Sequence, residues 1–396
     1  MNLFYKIYAR IYQQVFHLAI PLLPYRSPKI IEISDLNETF KKENVTKVFI
    51  VTDENLAKNH TLDLFLKAIN IPYFIYDKTR PNPTIDQVED AKSVYLANNC
   101  NGILAIGGGS VMDLAKVCGA RIVKPNKKVE KMGGLLKIRK KLPPLIAVPT
   151  TAGTGSETTL AAVITDAKTH HKYPINDFCL IPHYTILEPR LTINLPQSLT
   201  ATTGMDALTH AVEAFIGHST TKKTREKAIE ATKLIVKNIK ECYHNPTNLE
   251  ARKNMLYAAH YAGVAFTISY VGYIHALAHS LGGKYGVPHG LANAVIMPIM
   301  LEIYGDSCYK KLAILARESG VSNSSSDEIA AKAFINWIYE ANKEMNIPRY
   351  LDMIKDEDIV EMSTFASHEA NPLYPCPKLF NQKELAQIYP IIRGQK

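Results

Sequence analysis

The chain has 396 residues, of which 46% are hydrophobic and 21% are charged. That length allows two domains with cores of their own, and that balance excludes a wholly disordered protein. The net charge of +9 would permit a nucleic-acid ligand, but the basic residues are scattered and accompany no known nucleic-acid-binding motif, so we expect no such partner.

Six cysteines are spread along the chain without a closely spaced pair. This distribution favours free thiols in a reducing compartment over a disulfide framework. The sequence shows no convincing cleavable leader and no uncharged stretch long enough to span a bilayer. We therefore expect a cytoplasmic protein.

The first predicted element is a helix at residues 3–19, with apolar side chains on one face and basic or polar side chains opposite. It is followed by Pro21, Pro24 and Pro28, which break the helical pattern. Most apolar stripes are packed in protein, so we expect contact with its own subunit or with a second subunit. The alternative is a weak membrane or partner contact. We treat residues 1–30 as an N-terminal extension.

From Lys47 the sequence pattern changes to short apolar runs that alternate with helical stretches. The pattern predicts strands at 48–52, 73–76 and 102–106, helices at 55–69 and 85–98, and a further helix after residue 110. Strands that alternate with helices in this way form a parallel sheet covered on both faces. The sequence therefore predicts an α/β, Rossmann-like dinucleotide-binding domain over residues 31–192.

A glycine run, Gly107 to Gly109 with Ser110, separates the third strand from its helix. Backbone N–H groups and the positive helix end would suit a pyrophosphate there, although a glycine turn can equally be a tight connection. Asp53 ends the first strand, where a carboxylate can bind the adenosine ribose and repel a 2′-phosphate. It can equally cap the following helix. We expect NAD to be preferred, with NADP possible.

A second candidate cofactor loop is the segment PTTAGTGSETT, which follows a strand at 145–148. Its hydroxyl and backbone donors suit phosphate and ribose. Further along, the pattern turns to long helices, predicted at 198–218, 222–241, 250–269 and 272–284. Residues 193–396 are therefore predicted to form an all-helical domain.

Five side chains of the helical region suit metal chemistry. Asp206 and His210 are four residues apart in a predicted helix, and His275 and His279 repeat that spacing, so each pair leaves one helix face. His289 comes from a loop or a helix start after a glycine break. A carboxylate with several imidazoles is a donor set for iron, zinc, cobalt or manganese. The spacing alone favours the pair on the later helix and cannot choose between it and His289.

At these residues the sequence resembles a known family. GMDALTHAVEAF, HALAHSLGG and VPHGLANAVIMP are similar to the metal-binding segments of the iron-containing (group III) alcohol dehydrogenases. The resemblance implies that Asp206, His210, His275 and His289 are the metal ligands. It places His279 beside the nicotinamide and the substrate, where we expect it to relay a proton.

The resemblance also implies a set of cofactor-binding residues. A GGGS followed by D-x-x-K is the family's pyrophosphate site, and it is matched by Gly107, Gly108, Gly109, Ser110, Asp113 and Lys116. The family uses the next loop for the same cofactor, which implicates Thr150, Thr151, Gly155 and Ser156. Two further cofactor-side positions are matched by Lys172 and Leu191.

The function implied by the resemblance is that of a metal-dependent, NAD(P)-linked alcohol dehydrogenase or aldehyde reductase for a small alcohol, diol or aldehyde. It implies Fe²⁺ as the metal, with Zn²⁺ as the alternative, and a homodimer or higher homo-oligomer with the dehydroquinate synthase-like architecture. One rival is a glycerol dehydrogenase- or dehydroquinate synthase-like zinc enzyme. Those resemble three-ligand sites, whereas this chain fills four positions. The other rival is a membrane- or partner-associated assembly protein.

Overall fold

The computed structural model describes residues 3–167 and 172–395. The chain divides into two compact units. One is Pro24–Thr192, and the other combines Met1–Leu23 with Ile193–Lys396.

The unit Pro24–Thr192 is built on a parallel sheet. Its strands are β1 (Lys29–Ile30), β2 (Val48–Asp53), β3 (Tyr73–Thr79), β4 (Gly102–Gly107), β5 (Gly134–Leu135), β6 (Leu145–Pro149), β7 (Ala161–Thr165), β8 (Lys172–Asn176) and β9 (Tyr184–Thr185). The main sheet has the order β1-β9-β6-β4-β2-β3, and each of its neighbouring pairs is parallel. A small sheet has the order β5-β8-β7.

Counted along the chain after α1 (Leu3–Ala19), the helices of this unit are α2 (Leu36–Lys42), α3 (Glu54–Lys58), α4 (Asp63–Leu66), α5 (Ile85–Ala97) and α6 (Gly109–Val123). Successive side chains of a strand point to opposite faces. Phe49 and Val51 therefore join the core that includes α5 and α6 residues, while Val48 and Ile50 join the core that includes α2 and α4 residues. Because both faces are covered, the central strands are apolar along most of their length. The parallel sheet with helices on both faces confirms the predicted Rossmann-like class.

The predicted helix at 55–69 is wrong in one respect, since the structure has the short helices α3 and α4 in its place. The break lies between them. The side chain of Asn59 accepts a hydrogen bond from the Thr61 N–H at 3.1 Å, and His60 has a φ of +62°. An asparagine turn followed by a left-handed residue ends a helix even where the apolar pattern continues.

The second unit is helical. After α1 its helices are α7 (Gln197–Ile216), α8 (Lys222–His244), α9 (Leu249–Ser269), α10 (Tyr273–Tyr285), α11 (His289–Tyr304), α12 (Asp306–Glu318), α13 (Asp327–Glu344), α14 (Asp356–Ala370), α15 (Gln382–Ala386) and α16 (Ile388–Arg393). The four predicted long helices are present as α7 to α10. Among the described residues, no single helix is both long enough and apolar enough to cross a membrane. Helices α9 and α10 meet that test only when they are taken together, and a bend of 101° separates them.

Helix α1 lies on the helical unit through the face that includes the buried residues Ala9 and Gln13. Arg10 donates to the carbonyls of Cys376 and Pro377, and Gln13 donates to those of Pro372 and Tyr374. The apolar stripe on the other face is exposed. We expected that stripe to pack on its own subunit or on a second one, and the structure shows that its own subunit does not cover it.

Candidate metal centre and cofactor loops

Three helices of the helical unit bring four potential metal ligands to one point. Helix α7 carries Asp206 and His210, α10 carries His275, and α11 begins with His289. One ligand atom from each of these side chains lies within 4.8 Å of all the others. Donors bound to one ion at about 2.1 Å lie up to about 4 Å apart, so this cluster needs little movement to hold a metal.

The approach of α11 to α7 depends on a glycine. A Cβ atom at Gly290 would lie 2.5 Å from the carbonyl oxygen of Thr202, a backbone atom that cannot rotate away. Because Gly290 has no side chain, His289 can sit at the first turn of α11, beside the α7 residue Asp206. Nε2 of His289 and Oδ1 of Asp206 are 3.4 Å apart.

Three of the four side chains in the cluster are buried, and the fourth is partly exposed. Asp206, His210 and His275 are 2%, 5% and 2% exposed, whereas the side chain of His289 is 39% exposed. The His210 ring lies between the ring of Phe266, at 4.1 Å, and that of His275, at 4.5 Å. Three donors are therefore fixed by packing, and the fourth marks the side from which a small molecule can approach.

A buried carboxylate fixes the orientation of His275. Glu213, on α7, accepts hydrogen bonds from the backbone N–H groups of Gly272 and Ile274, each at 2.8 Å. Its Oε2 lies 2.6 Å from Nδ1 of His275. With Nδ1–H donating to Glu213, Nε2 of His275 keeps its lone pair, and that atom is buried with no hydrogen-bond partner among the described residues. A histidine oriented by a carboxylate in this way is typical of metal sites.

The ionisation of this pair follows from burial. Burial raises the pKa of the Glu213 carboxyl to about 7, while its three N–H donors favour the charged form. Burial, followed by the neighbouring imidazoles of His210 and His289, holds the pKa of His275 well below its usual range. His275 is thus neutral near pH 7, as a metal ligand must be.

Asn293 supports the other side of the cluster. It lies one turn after His289 on α11 and is fully buried. Its Nδ2 donates to Oδ1 of Asp206 at 2.7 Å and lies 3.1 Å from Nε2 of His289. This amide therefore orients the carboxylate ligand, as Glu213 orients an imidazole ligand.

His279 lies beside the four-donor cluster and outside it. Its ring is stacked on that of His289 at 5.1 Å, and its side chain is 42% exposed. Its Nδ1 lies 2.7 Å from Oε1 of Glu369, which also accepts the Tyr374 hydroxyl at 2.8 Å. A carboxylate thus fixes this ring too, on the exposed side of the cluster.

Sequence reasoning missed Glu213, Asn293 and Glu369. The sequence spacing could have indicated two of them. Glu213 is three residues after His210, and Asn293 is four residues after His289, so each lies on the same helix face as a proposed ligand. Glu369 is ninety positions from His279, and no local spacing connects them.

In the α/β unit, the glycine run forms the turn from β4 into α6. A Cβ atom at Gly107 would lie 2.5 Å from the Val111 side chain, so this turn requires a glycine. A Cβ at Gly108 would meet only Thr151, at 3.7 Å. Gly108 is the N-cap of α6 and no side chain caps the helix, which begins at Gly109 and Ser110. Its first N–H groups are therefore not satisfied by a capping side chain, as a phosphate-binding helix end requires.

Asp113 and Lys116 connect α6 to the second loop. Lys116 is fully buried, and its Nζ donates to both oxygens of Ser156, at 2.6 and 3.0 Å, and of Thr159, at 3.1 and 2.9 Å. Asp113 accepts from the Ser156 hydroxyl at 3.0 Å and from the Val163 N–H at 3.0 Å. Burial lowers the pKa of Lys116 to about 8 and raises that of Asp113. These contacts hold the loop in place, and direct contact of Asp113 with a pyrophosphate stays a prediction.

The second loop lies beside the first at the carboxyl ends of β4 and β6. The Thr150 N–H donates to the Gly107 carbonyl at 3.1 Å, and Thr151 faces Gly108. Gly155 has a φ of +57°, a left-handed conformation that glycine adopts without strain. The parallel strand ends thus bring together the two predicted cofactor loops, with Ser156 tied beneath them.

The remaining predicted cofactor residues have varied surroundings. Asp53 caps α3, since its Oδ1 accepts the Leu56 N–H at 3.0 Å, which leaves its other oxygen for a ribose. Leu191 is buried in the short 3₁₀ helix Pro189–Thr192. Lys172 begins β8, but its side chain lies outside the described residues. Their contact with a cofactor stays a prediction.

Comparisons with known proteins agree with this picture. The model of the iron-containing alcohol dehydrogenases matches residues 31–189, and that of the Fe-containing alcohol dehydrogenase family, C-terminal, matches residues 200–392. The 1,3-propanediol dehydrogenase of Citrobacter freundii is 34% identical over 95% of this chain and 98% of its own. The NAD-dependent methanol dehydrogenase of Bacillus methanolicus is 33% identical over 90% of this chain and 94% of its own.

Solved structures show the same fold. A 1,3-propanediol oxidoreductase has a TM-score of 0.87 and 34% identity, over 93% of this chain and 99% of its own. An alcohol dehydrogenase from Oenococcus oeni has a TM-score of 0.87 and 32% identity, over 93% and 100%. Fold and site thus define a metal- and NAD(H)-binding alcohol dehydrogenase. The chain belongs to the iron-containing alcohol dehydrogenase family.

Proposed function

We propose that this enzyme interconverts a small primary alcohol or diol and its aldehyde, with Fe²⁺ in the four-donor cluster and NAD as the preferred cofactor. The cluster of Asp206, His210, His275 and His289 is the observation that carries the proposal. The relatives that act on 1,3-propanediol and methanol support a short substrate.

The chain's own residues prepare the site for this reaction. Asp206, His210 and His275 are buried and held by neighbouring groups, so they would hold the ion with little rearrangement. When bound there, a divalent metal supplies a Lewis acid that polarises the oxygen of the alcohol or carbonyl. The surrounding helices exclude water from three of the donors, which strengthens each electrostatic interaction.

Iron is favoured over zinc by family membership, since three imidazole nitrogens and one carboxylate oxygen suit either metal. The free oxygen of Asp53 supports NAD, because a carboxylate there would repel the 2′-phosphate of NADP. A homodimer is proposed from the resemblance. A cytoplasmic location is proposed from the six cysteines, all of which are free thiols.

His279 is proposed to relay the proton. Its Nδ1 is paired with Glu369, which orients the ring, and the side chain lies on the exposed side of the cluster. General acid–base groups contribute about 10²–10⁴ in rate. His279→Ala should lower kcat by that factor while the metal content stays unchanged. Full turnover by this variant would contradict the relay.

The experiment that tests the function is turnover with NAD and NADP on short alcohols, diols and aldehydes. The protein is purified anaerobically, stripped of metal, and reloaded separately with Fe²⁺ or Zn²⁺. We expect Fe²⁺ and NAD to give the highest kcat/KM on a short primary alcohol or diol. Higher activity with Zn²⁺ or NADP would correct that part of the proposal, and absence of turnover on any short substrate would contradict the substrate class.

A further inference from the structure

Helix α1 is amphipathic, and its larger apolar face is turned away from the rest of the chain. The face that contacts its own chain consists of Ala9, Gln13, Phe16 and Ile20, spaced at four, three and four residues. Of these, Ala9 is fully buried and Gln13 is 3% exposed. This face is held by directional contacts, since Gln13 donates two hydrogen bonds to backbone carbonyls and the Phe16 ring lies edge-on to Tyr270 at 5.3 Å.

The opposite face is a continuous apolar stripe. Its side chains follow helical spacing and are largely exposed: Phe4 (80%), Ile7 (48%), Ile11 (58%), Val15 (62%), Leu18 (67%) and, just beyond the helix, Leu22 (86%). One margin carries three tyrosines, Tyr5, Tyr8 and Tyr12, whose rings contact one another in sequence. Exposed apolar patches of this kind mark sites of interaction.

The stripe is too narrow for a stable protein interface of its own. A helix of 17 residues is about 26 Å long and roughly 10 Å wide, so one face presents on the order of 300 Å². A stable protein–protein interface takes about 800 Å² from each partner. A bilayer surface makes no such demand, because an interfacial helix inserts only its apolar face between the lipid headgroups.

The charge around the stripe fits an anionic surface. The first acidic residue of the chain is Glu32, so α1 carries no negative charge, and Lys6 is exposed on it. Lys378 is exposed next to Pro377, a docking point of α1. Tyrosines at the margin of an inserted helix suit the headgroup layer. Neither family model extends to residues 1–30, which include α1.

We propose that α1 is a membrane-surface anchor that binds anionic lipid through its exposed apolar stripe, while its opposite face contacts the enzyme. The lipid contact would bring a soluble-substrate enzyme to a bilayer without a membrane-spanning segment. The inference is independent of the substrate and of the metal.

The test is co-sedimentation of the full-length, metal-loaded enzyme with vesicles of phosphatidylcholine and phosphatidylglycerol, and with vesicles of phosphatidylcholine alone. We expect binding to the anionic vesicles, weaker binding to the neutral ones, and a decrease at high salt. Val15→Glu places a charge in the stripe and should lower the partition coefficient at least about tenfold, with turnover unchanged.

The matched control is Val360→Glu on α14, where Val360 is 66% exposed, against 62% for Val15. This control should partition like the wild type. Equal partitioning of Val15→Glu and wild type, or absence of wild-type binding to anionic vesicles, would overturn the proposal. A reduced oligomeric mass of Val15→Glu, measured by light scattering, would also overturn it, because a second copy of the chain would then cover the stripe.

Discussion

The candidate metal centre and the predicted cofactor loops are built from different kinds of group. At the candidate metal centre, three helices each contribute side-chain donors, and buried partners such as Glu213 and Asn293 orient them. In the predicted cofactor loops, the first N–H groups of α6 have no side-chain cap, and Asp113 and Lys116 hold the second loop in place.

This difference predicts how each site fails. Loss of one donor would leave the proposed metal site one ligand short, so activity should be lost while the fold persists. The cofactor loops lose function when a side chain is added, because the pyrophosphate must approach the backbone closely. The following predictions separate these two kinds of damage.

The largest effect is expected for His210→Ala. Removing this donor should lower turnover by on the order of a thousandfold or more and abolish stoichiometric metal binding, with NADH affinity unchanged. Metal analysis and NADH fluorescence check both parts. The control is His260→Ala, because His260 is also a buried histidine of the helical unit and lies outside the cluster. Normal metal content in His210→Ala would contradict the assignment.

A smaller loss is expected for Glu213→Gln. The single amide oxygen can accept only one of the two backbone N–H bonds that the carboxylate accepts on separate oxygens, and no carboxylate is offered to Nδ1 of His275. Partners of this kind are worth about 10–100-fold in metal affinity. A chelator-competition titration measures the change. Unchanged affinity would show that packing alone orients His275.

At the other site, Gly108→Ala should raise the KM for NAD about tenfold through the added methyl group, while metal content and Tm stay at wild-type values. The methyl group fits the folded chain, since its nearest neighbour is 3.7 Å away. The contrasting variant is Gly107→Ala, whose methyl group would lie 2.5 Å from Val111 and should lower Tm. An unchanged KM for NAD in Gly108→Ala would remove this turn from the cofactor site.

The smallest effect is expected for the pH dependence of the free energy of unfolding, through a histidine that contacts the main sheet. His183 accepts the Leu145 N–H through Nδ1 at 3.1 Å, and burial, followed by the charges of Arg26 and Lys141, lowers its pKa from 6.5 to about 4. Between these values the unfolded chain binds the proton more readily, so the free energy of unfolding should fall as pH decreases from 6.5 to 4.

His183→Gln removes that titration and should reduce the fall by about 1–2 kcal/mol. Denaturant unfolding at pH 7 and pH 4.5 measures the difference between the two proteins. The same pH dependence in both would show that other groups govern acid stability. Metal content at pH 7 should be identical, since His183 belongs to the α/β unit.

The sequence predicted what depends on local spacing. The pairs on α7 and α10 follow from four-residue spacing, and the central strands follow from their apolar runs. Whether His279 or His289 joins the cluster could not be derived from spacing, because it depends on how α11 packs on α7 at Gly290. The family resemblance supplied the choice that spacing left open.

Other features required tertiary structure. Strands β1 and β9 are two residues long, which is too short for a periodic signal, so the sheet order was not predictable. The outward direction of the α1 stripe was also not predictable. The same amphipathic pattern fits a stripe facing inward, and only the hydrogen bonds of Arg10 and Gln13 decide between them.

The central claim is that the four-donor cluster is the metal site on which turnover depends. The most direct measurement is an anaerobic titration of the stripped enzyme with Fe²⁺, in which bound metal and NAD-linked turnover are followed together, for the wild type and for His275→Ala. We predict that wild-type turnover rises with bound metal and saturates at a single ion per chain, while His275→Ala neither binds stoichiometrically nor turns over. Turnover by the stripped wild type, or by metal-loaded His275→Ala, would contradict the account.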